Sequence, residues 1–298
     1  MMISDNWGEF LLPHLRKIFE KHQQKMRDFL PVIYNVETST KAQEFTHGIG
    51  SLGLMDEWSD SGNQVSYETV NPGYKQTYTH RKFSKGIKIE RELLDDAQYV
   101  EVKKRVNLLA QSEYYTKQYY AAYPFNNCTG FLGPDGKAMC ATDHPLGPNN
   151  STTWSNLATG TDLDPNNVET IRNYMKGWKD DKGNLLAVNP DTLIVPPALR
   201  KKAIIIADTN GEPDTADNNV NIWKGSLNVI EWDFLNTSTM WFMVDMTRMK
   251  TFLTWYNRRK AKLESEKMFD TEIAKFKCIS RFSFGFDDAS FVYGVSTS

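Results

Sequence analysis

The stretch from residue 47 to residue 91 limits what this chain can fold into more than any other, because it carries strand signals and little that could form a core. Its apolar residues Leu52, Leu54, Met55, Trp58, Val65, Tyr67 and Val70 are spread among glycine, serine, aspartate and asparagine. Pro72–Gly73 is a turn signal. Beyond it, Thr77–Ile89 is rich in tyrosine, threonine, phenylalanine and isoleucine and reads as a strand, with Val65, Tyr67 and the pair Glu68–Thr69 as the strand opposite. The pattern predicts a long two-stranded ribbon whose arms, about 12 residues each, reach roughly 40 Å at ~3.3 Å per residue. A lone hairpin is marginal in water. A ribbon of that length persists only against a surface, and its own chain has little to offer. The first physical expectation is therefore obligate assembly.

On either side, helix and strand signals are mixed. Residues 7–29 read as an amphipathic helix, with Phe10, Leu11, His14, Leu15, Ile18 and Phe19 near helical spacing. Arg16, Lys17, Lys21, Lys25 and Arg27 dominate the rest of it, either as a solvated face or as an arm that touches DNA or an acidic partner. Pro31 ends that helix, and residues 32–46 look extended. Residues 92–122 form a long helix, with Asp95 and Asp96 in its first turn and Tyr99, Val102, Val106 and Leu109 as its apolar stripe. A helix of that length suits a strut. Residues 128–166 are rich in loops; residues 167–179 are helical; Thr192–Val195 is a buried strand; Pro196–Pro197 opens a helix through Ala207. Asp208–Asn219 is a polar loop. Leu227–Phe234 and Met240–Val244 are strands around a turn at Asn236–Ser238, and residues 269–296 are further strands, with Phe282, Phe284 and Phe286 in alternation. Without a regular βαβ rhythm or an internal repeat, the fold class is α+β.

The formal net charge is −2, which excludes a protein that coats nucleic acid with its whole surface and leaves only local contact with DNA. Three cysteines, Cys128, Cys140 and Cys278, make no disulfide framework and suit a reducing cytosol. No signal peptide is visible, and apolar runs such as Ala203–Ala207 are far too short to span a membrane.

No motif carries chemistry. Gly48–Ile49–Gly50–Ser51–Leu52–Gly53 matches G-x-G-x-x-G, but a dinucleotide site needs a buried strand before it and a helix after it. Neither flank fits, and a hinge at the base of the ribbon is expected instead. Asp208, Asn210 and Gly211 hint at a calcium loop whose glycine falls two positions early. Cys140, Asp143 and His144 offer thiolate, carboxylate and imidazole, which act together only within hydrogen-bond reach. Glu92, Asp95 and Asp96 read as helix-start carboxylates. Lys250, Arg258, Arg259, Lys260 and Lys262 lie beside Trp255 and Tyr256, a pattern that can bind single strands. Because Glu264 and Glu266 follow, a helix face with internal ion pairs is expected there.

Four segments resemble, in order, the major head subunit family of tailed phages related to phage Mu. They are Tyr74–Thr79 running through Lys85–Tyr99, Gly133–Lys137 through Asp143–Pro145, Asn189–Pro197, and Arg281–Asp288. Together they span nearly the whole chain. The resemblance implies the Hong Kong 97-type capsid fold, with an extended β-ribbon loop, a long spine helix and an axial domain. Its implied division is an N-terminal arm at 1–46, the extended loop at 47–91, a peripheral domain with the spine helix at 92–158, the axial domain at 159–244, and a C-terminal return to the peripheral domain at 245–298.

By the same resemblance, the chain forms the hexamers and pentamers of an icosahedral phage head around double-stranded DNA, assembled in the host cytoplasm. It uses no cofactor and no membrane. Trp58, Tyr67, Tyr74, Tyr78, Lys82 and Lys85 are the expected contacts of the loop with a neighbouring subunit, and Arg16, Lys17, Lys21 and Lys25 the contacts with DNA or scaffold. About 45 residues precede the loop, so a separate scaffolding protein is expected, with a portal and a decoration protein as further partners. Three rival readings remain at this point: an encapsulin-like nanocompartment shell, an enzyme using Cys140 and His144, and a nucleic-acid-binding module on Arg258–Lys262.

Overall fold

A computed structural model describes residues 7–57, 67, 69–148, 150–211, 220–268 and 273–297. Helices α1 (Trp7–Lys25) and α2 (Leu30–Ile33) lead into strands β1 (Asn35–Thr38), β2 (Gln43–Ile49), β3 (Pro72–Thr79) and β4 (Arg81–Glu90). A short α3 (Glu92–Asp95) precedes the long α4 (Tyr99–Asn126). Strands β5 (His144–Pro145), β6 (Thr153–Trp154) and β7 (Leu157–Thr159) follow, then α5 (Pro165–Lys176), β8 (Thr192–Val195), α6 (Arg200–Asp208), β9 (Asn228–Glu231) and β10 (Met240–Val244). The last elements are α7 (Met246–Phe252), β11 (Leu253–Met268), β12 (Ile273–Phe286) and β13 (Val292–Ser296).

The strands build two main sheets. One has the order β1-β11-β12-β4 and the other β7-β13-β10-β8-β9. In the first, β11 and β12 run antiparallel from Leu253↔Phe286 to Met268↔Ile273. Alternation turns Leu263, Ala274, Phe276 and Cys278 to one face, where they meet Leu15 and Phe19 of α1 and Val102, Val106 and Leu109 of α4. The second sheet is buried on both faces. Leu193, Val195, Trp241 and Met243 pack on α5 and α6, while Ile194, Phe242 and Val244 face a central core with Phe125, Trp232, Trp255 and Phe282. That two-sided burial is why Thr192–Val195 is an unbroken run of buried residues.

Several expectations are corrected. The partner of β3 is β2, in register Gln43↔Thr79 to Ile49↔Pro72, and Pro72–Gly73 lies inside β3 rather than in a turn. Tyr67 and Thr69 are in no strand, and residues 58–66 and 68 lie outside the described residues. The strand expected at Thr77–Ile89 is two strands that part at His80 and join different sheets. The long helix begins at Tyr99, because Ala97 has a φ of 56° and the Gln98 N–H closes α3 on the Leu93 carbonyl at 2.8 Å. Asp95 therefore sits in α3, paired with Arg91 at 3.4 Å.

Residues 253–268 form a strand, not the helix face expected around Arg258–Lys262. Register shifts between Asn257 and Arg259, and between Arg259 and Lys262, hide the alternation from a reader of the sequence. Strands β9 and β10 are not a hairpin; β9 pairs parallel with β8, and β10 pairs antiparallel with it. Pro31 stands in the first turn of α2, where its missing N–H costs nothing. Residues 245–298 divide between the two sheets, since β13 pairs with β10 and β7.

The ribbon of β2 and β3 depends on a close backbone approach. A Cβ built on Gly73 would lie 2.6 Å from the carbonyl carbon of Gly48, beside the irregularity between His47 and Ile49. Gly73→Ala should therefore lose about 1–3 kcal/mol and open the ribbon to limited proteolysis. Unchanged cleavage kinetics and unchanged denaturation midpoint would show that the strands do not need this contact.

Candidate assembly surfaces

The ribbon is fixed at its root by its own chain. The Tyr78 hydroxyl and Thr46 Oγ1 both donate to Asp287 Oδ1, at 2.6 and 2.5 Å. The Tyr78 ring meets Tyr256 edge-on at 5.1 Å and fills the space a side chain at position 285 would need. Burial, helped by the Asp287 carboxylate, holds the Tyr78 phenol far above its ordinary pKa, so it stays a donor. His80, at the parting of β3 and β4, sits between Ser39 Oγ (3.1 Å from Nε2) and Ser283 Oγ (2.9 Å from Nδ1). Burial, with the charge of Arg281, lowers the pKa of this ring.

The tip is different. Ser51 N–H donates to Asp181 Oδ1 at 3.0 Å. Around that tie, Ile49, Leu52, Leu54 and Met55 are 77, 58, 85 and 99% exposed. Large apolar side chains left this exposed make the segment a candidate interaction surface. Between Lys41 and Lys75 the sequence holds Glu44, Asp56, Glu57, Asp60 and Glu68 and no lysine or arginine.

A second uncovered surface runs along α4. Leu108, Tyr115, Tyr119 and Tyr123 are exposed on the side away from the Val102–Val106–Leu109 stripe. With Lys85 and Ile87 of β4, the first three of them line a groove of about 560 Å³. Sequence reasoning missed these tyrosines, although their i, i+4, i+8 spacing is legible.

The residues singled out from sequence are scattered over these surfaces. Tyr78 is buried in its own chain and unavailable to a neighbour. Tyr74 is half-buried, with its phenol pKa raised by burial and by Asp135. Tyr67, Lys82 and Lys85 are exposed, and Trp58 lies outside the described residues. On α1, Lys17, Lys21 and Lys25 are exposed one turn apart, while Arg16 turns inward and donates to the Leu263 carbonyl at 3.2 Å.

The chemical candidates are structural. Both ring nitrogens of His144 are engaged, Nδ1 with Asp135 Oδ2 at 2.7 Å and Nε2 with Asn156 Oδ1 at 3.1 Å. Cys140 packs against Gly294, burial pushes its thiol up, and among the described residues no hydrogen bond joins it to His144. Gly48 and Gly50 of the G-x-G-x-x-G sequence are crowded by Tyr74, Asn71 and Asp181 and cradle nothing. The loop after α6 is closed by the Asn221 amide, which donates to the carbonyls of Ile206 and Thr209. Among the described residues no group of three His, Cys, Asp or Glu could hold a metal, and no helix is long and apolar enough to cross a membrane.

Compared with known proteins, the family model described as "Phage capsid protein" matches residues 73–295. No curated protein matches the sequence. Among solved structures, the capsid of bacteriophage JBD30, decorated with minor capsid protein trimers, is similar over 69% of this chain and 90% of its own, at 16% identity and a TM-score of 0.57. The capsid of cyanophage P-SCSP1u is similar over 90% and 87%, at 12% identity and a TM-score of 0.54. A virus-like particle from Pyrococcus furiosus is similar over 95% and 98%, at 11% identity and a TM-score of 0.57.

Two measurements follow from this geometry. A His80 with a lowered pKa favours folding while neutral, so its contribution is present above the unfolded value of 6.5 and is lost as pH falls through and below it. The melting temperature should drop more steeply on acidification in the natural chain than in His80→Asn; equal slopes would remove His80 from the root. All three cysteines are buried, and burial pushes Cys278 up to about 12. The folded protein should therefore react with a thiol reagent far more slowly than the urea-unfolded one, whereas one fast thiol at neutral pH would reopen the case for Cys140.

Proposed function

We propose, from the premise that the chain belongs to the phage capsid protein family, that it closes an icosahedral head from hexamers and pentamers of itself around double-stranded DNA. Family and fold make it a structural protein of the virion shell, a bacteriophage major capsid protein of the Hong Kong 97-type fold, and not an enzyme. The finer assignment is to heads of phage Mu-related type. It rests on the ribbon-to-spine sequence at Lys85–Tyr99.

One observation carries the assembly reading: the ribbon is tied to its own chain at the root, yet exposes Ile49, Leu52, Leu54 and Met55 at its tip. A tip of this composition loses free energy in water and gains it on a neighbour, at about 25 cal/mol per Å² covered. When the seat lies elsewhere on an identical chain, the contact is heterologous and closes rings by rotation. Shell interfaces of this kind bury on the order of 2,000–5,000 Å². In this reading residues 47–91 are the extended loop, 92–158 the peripheral domain with α4 as its spine, and 159–244 the axial domain. Residues 1–46 are the arm, and 245–298 complete the body. Lys17, Lys21 and Lys25 on α1 then face DNA or a separate scaffolding protein, and a portal and a decoration protein complete a particle built in the host cytoplasm.

The likeness to the Pyrococcus furiosus particle over nearly the full length of both chains supports a second reading, a nanocompartment shell with protein inside. Particle contents separate the two: nuclease-protected DNA supports the head, and a protein filling supports the compartment.

The assembly reading is tested at the tip alone, because a larger deletion would remove the Tyr78 anchor. Replacing residues 52–69 with a short Gly-Ser linker should leave a folded subunit with unchanged far-ultraviolet circular dichroism that forms no shells in negative-stain electron microscopy. Shells of normal size from that variant would overturn the role given to the tip.

A further inference from the structure

We propose that Cys128 and Cys140 are a redox pair, open as two thiols in a reducing cytosol and closed to an intramolecular disulfide in oxidising surroundings, where it locks the loop after α4 to the end of that helix. The pair belongs to the single subunit and does not depend on the assembly reading. The two residues meet at the base of a small hairpin. The Cys140 N–H donates to the Cys128 carbonyl at 2.8 Å, the Met139 N–H to the Phe131 carbonyl at 2.9 Å and the Gly133 N–H to the Lys137 carbonyl at 2.7 Å. Backbones joined by such a bond hold their Cα atoms roughly 5–6 Å apart, inside the roughly 4.4–6.8 Å that a disulfide spans.

The sulfurs are aligned as well as close. The Cys140 thiol donates to that of Cys128, and the Cys128 thiol donates in turn to Met240 Sδ at 3.6 Å. On its other side Cys140 has no room to turn away, since a Cβ built on Gly294 would lie 2.7 Å from its Sγ. The hydrogen bond from Cys140 lowers the pKa of Cys128, whereas burial raises that of Cys140. One thiol is therefore set to react first and the other to follow. Cys278 lies apart, under α1 and α4, in a core that holds no other cysteine or methionine among the described residues.

The oxidant is a small-molecule disulfide. The Cys128 thiolate attacks one of its sulfurs and forms a mixed disulfide, releasing a thiolate that takes up a proton. Cys140 then loses its proton and attacks Cys128 Sγ, releasing the second small thiol. The protein gives up two electrons and two protons, and the small disulfide gains them as two thiols. Cys128 and Cys140 are 2 and 1% exposed, so the oxidant reaches them only when the loop opens, and closure is slow. The lock acts at a joint. Asn156 holds both the Ala141 N–H and the Met139 carbonyl and reaches the Val292 carbonyl of β13. Closing the pair ties the end of the long helix covalently to the segment that docks on the second sheet.

Thiol mapping tests the pair. The purified full chain is incubated overnight with excess oxidised glutathione at mildly alkaline pH and compared with the same chain in dithiothreitol. After unfolding and alkylation, mass spectrometry should find Cys128 linked to Cys140 and alkylation at Cys278 alone. The melting temperature should rise by about 5 °C and fall back when dithiothreitol is added. Cys140→Ser should show neither the link nor the rise. The link is read on the natural chain, so the result stands even where the serine variant folds poorly. Alkylation at all three cysteines after oxidation, glutathione left on Cys128 without the link, or a link that uses Cys278 would overturn the pair. A Cys128–Cys140 link with an unchanged melting temperature would overturn the lock.

Discussion

Strand β12 has two faces, and the rest of the molecule is organised by the difference between them. One face is apolar apart from the buried Ser280. Phe276 and Cys278 pack under α1 and α4, and Phe282 joins the central core. The other face changes character along the strand. At Ser283 and Gly285 it is small, and there His80 and Tyr78 of the ribbon root settle onto it. At Lys275, Lys277 and Arg281 it is charged, and there the ribbon is absent. Tyr78 could not lie where it does over a larger residue at position 285, and Asp287, just beyond the strand, accepts the two bonds that hold the root.

The division between a fixed root and an uncovered tip is the physical basis of the functional conclusion. A chain that ended its ribbon in polar residues would be content as a monomer. This one leaves four large apolar side chains in water at the ribbon's far end and a tyrosine-lined groove along α4. Both features leave apolar area uncovered in the isolated subunit, as a chain that belongs to a shell-forming family would. The sequence-predicted chemical candidates serve structure instead. His144 is used up by Asp135 and Asn156, and that network ties the loop after α4 to the β13 end of the second sheet through the Asn156 amide bonds to Met139 and Val292.

Much of the fold was legible in the sequence where burial is simple. The Val102–Val106–Leu109 stripe, the unbroken Thr192–Val195 run and the alternation of Phe282, Phe284 and Phe286 all follow from one periodicity meeting one core. Reading failed where two constraints act on one segment. In β11 two register shifts break the period of two, so its charges looked helical. In the ribbon, Pro72–Gly73 carries the composition of a turn, but its glycine is needed for contact with Gly48. The correct partner, Gln43–Ile49, shows a weaker strand pattern than residues 65–69 because its side chains alternate between half-buried and exposed on a surface without a core. Of the candidate contacts, exposure separated Lys82, Lys85 and Tyr67 from Tyr78. No pattern in sequence announces that a tyrosine in a ribbon will be claimed by an aspartate 209 positions later.

That distance along the chain has a consequence for the order of events in the cell. The ribbon strands leave the ribosome early, but the carboxylate that orients them belongs to position 287. Contacts so remote in sequence form late in folding. Until they form, the two bonds that orient the ribbon root are missing, so the exposed apolar end is positioned only by a chain whose C-terminal strands are already in place.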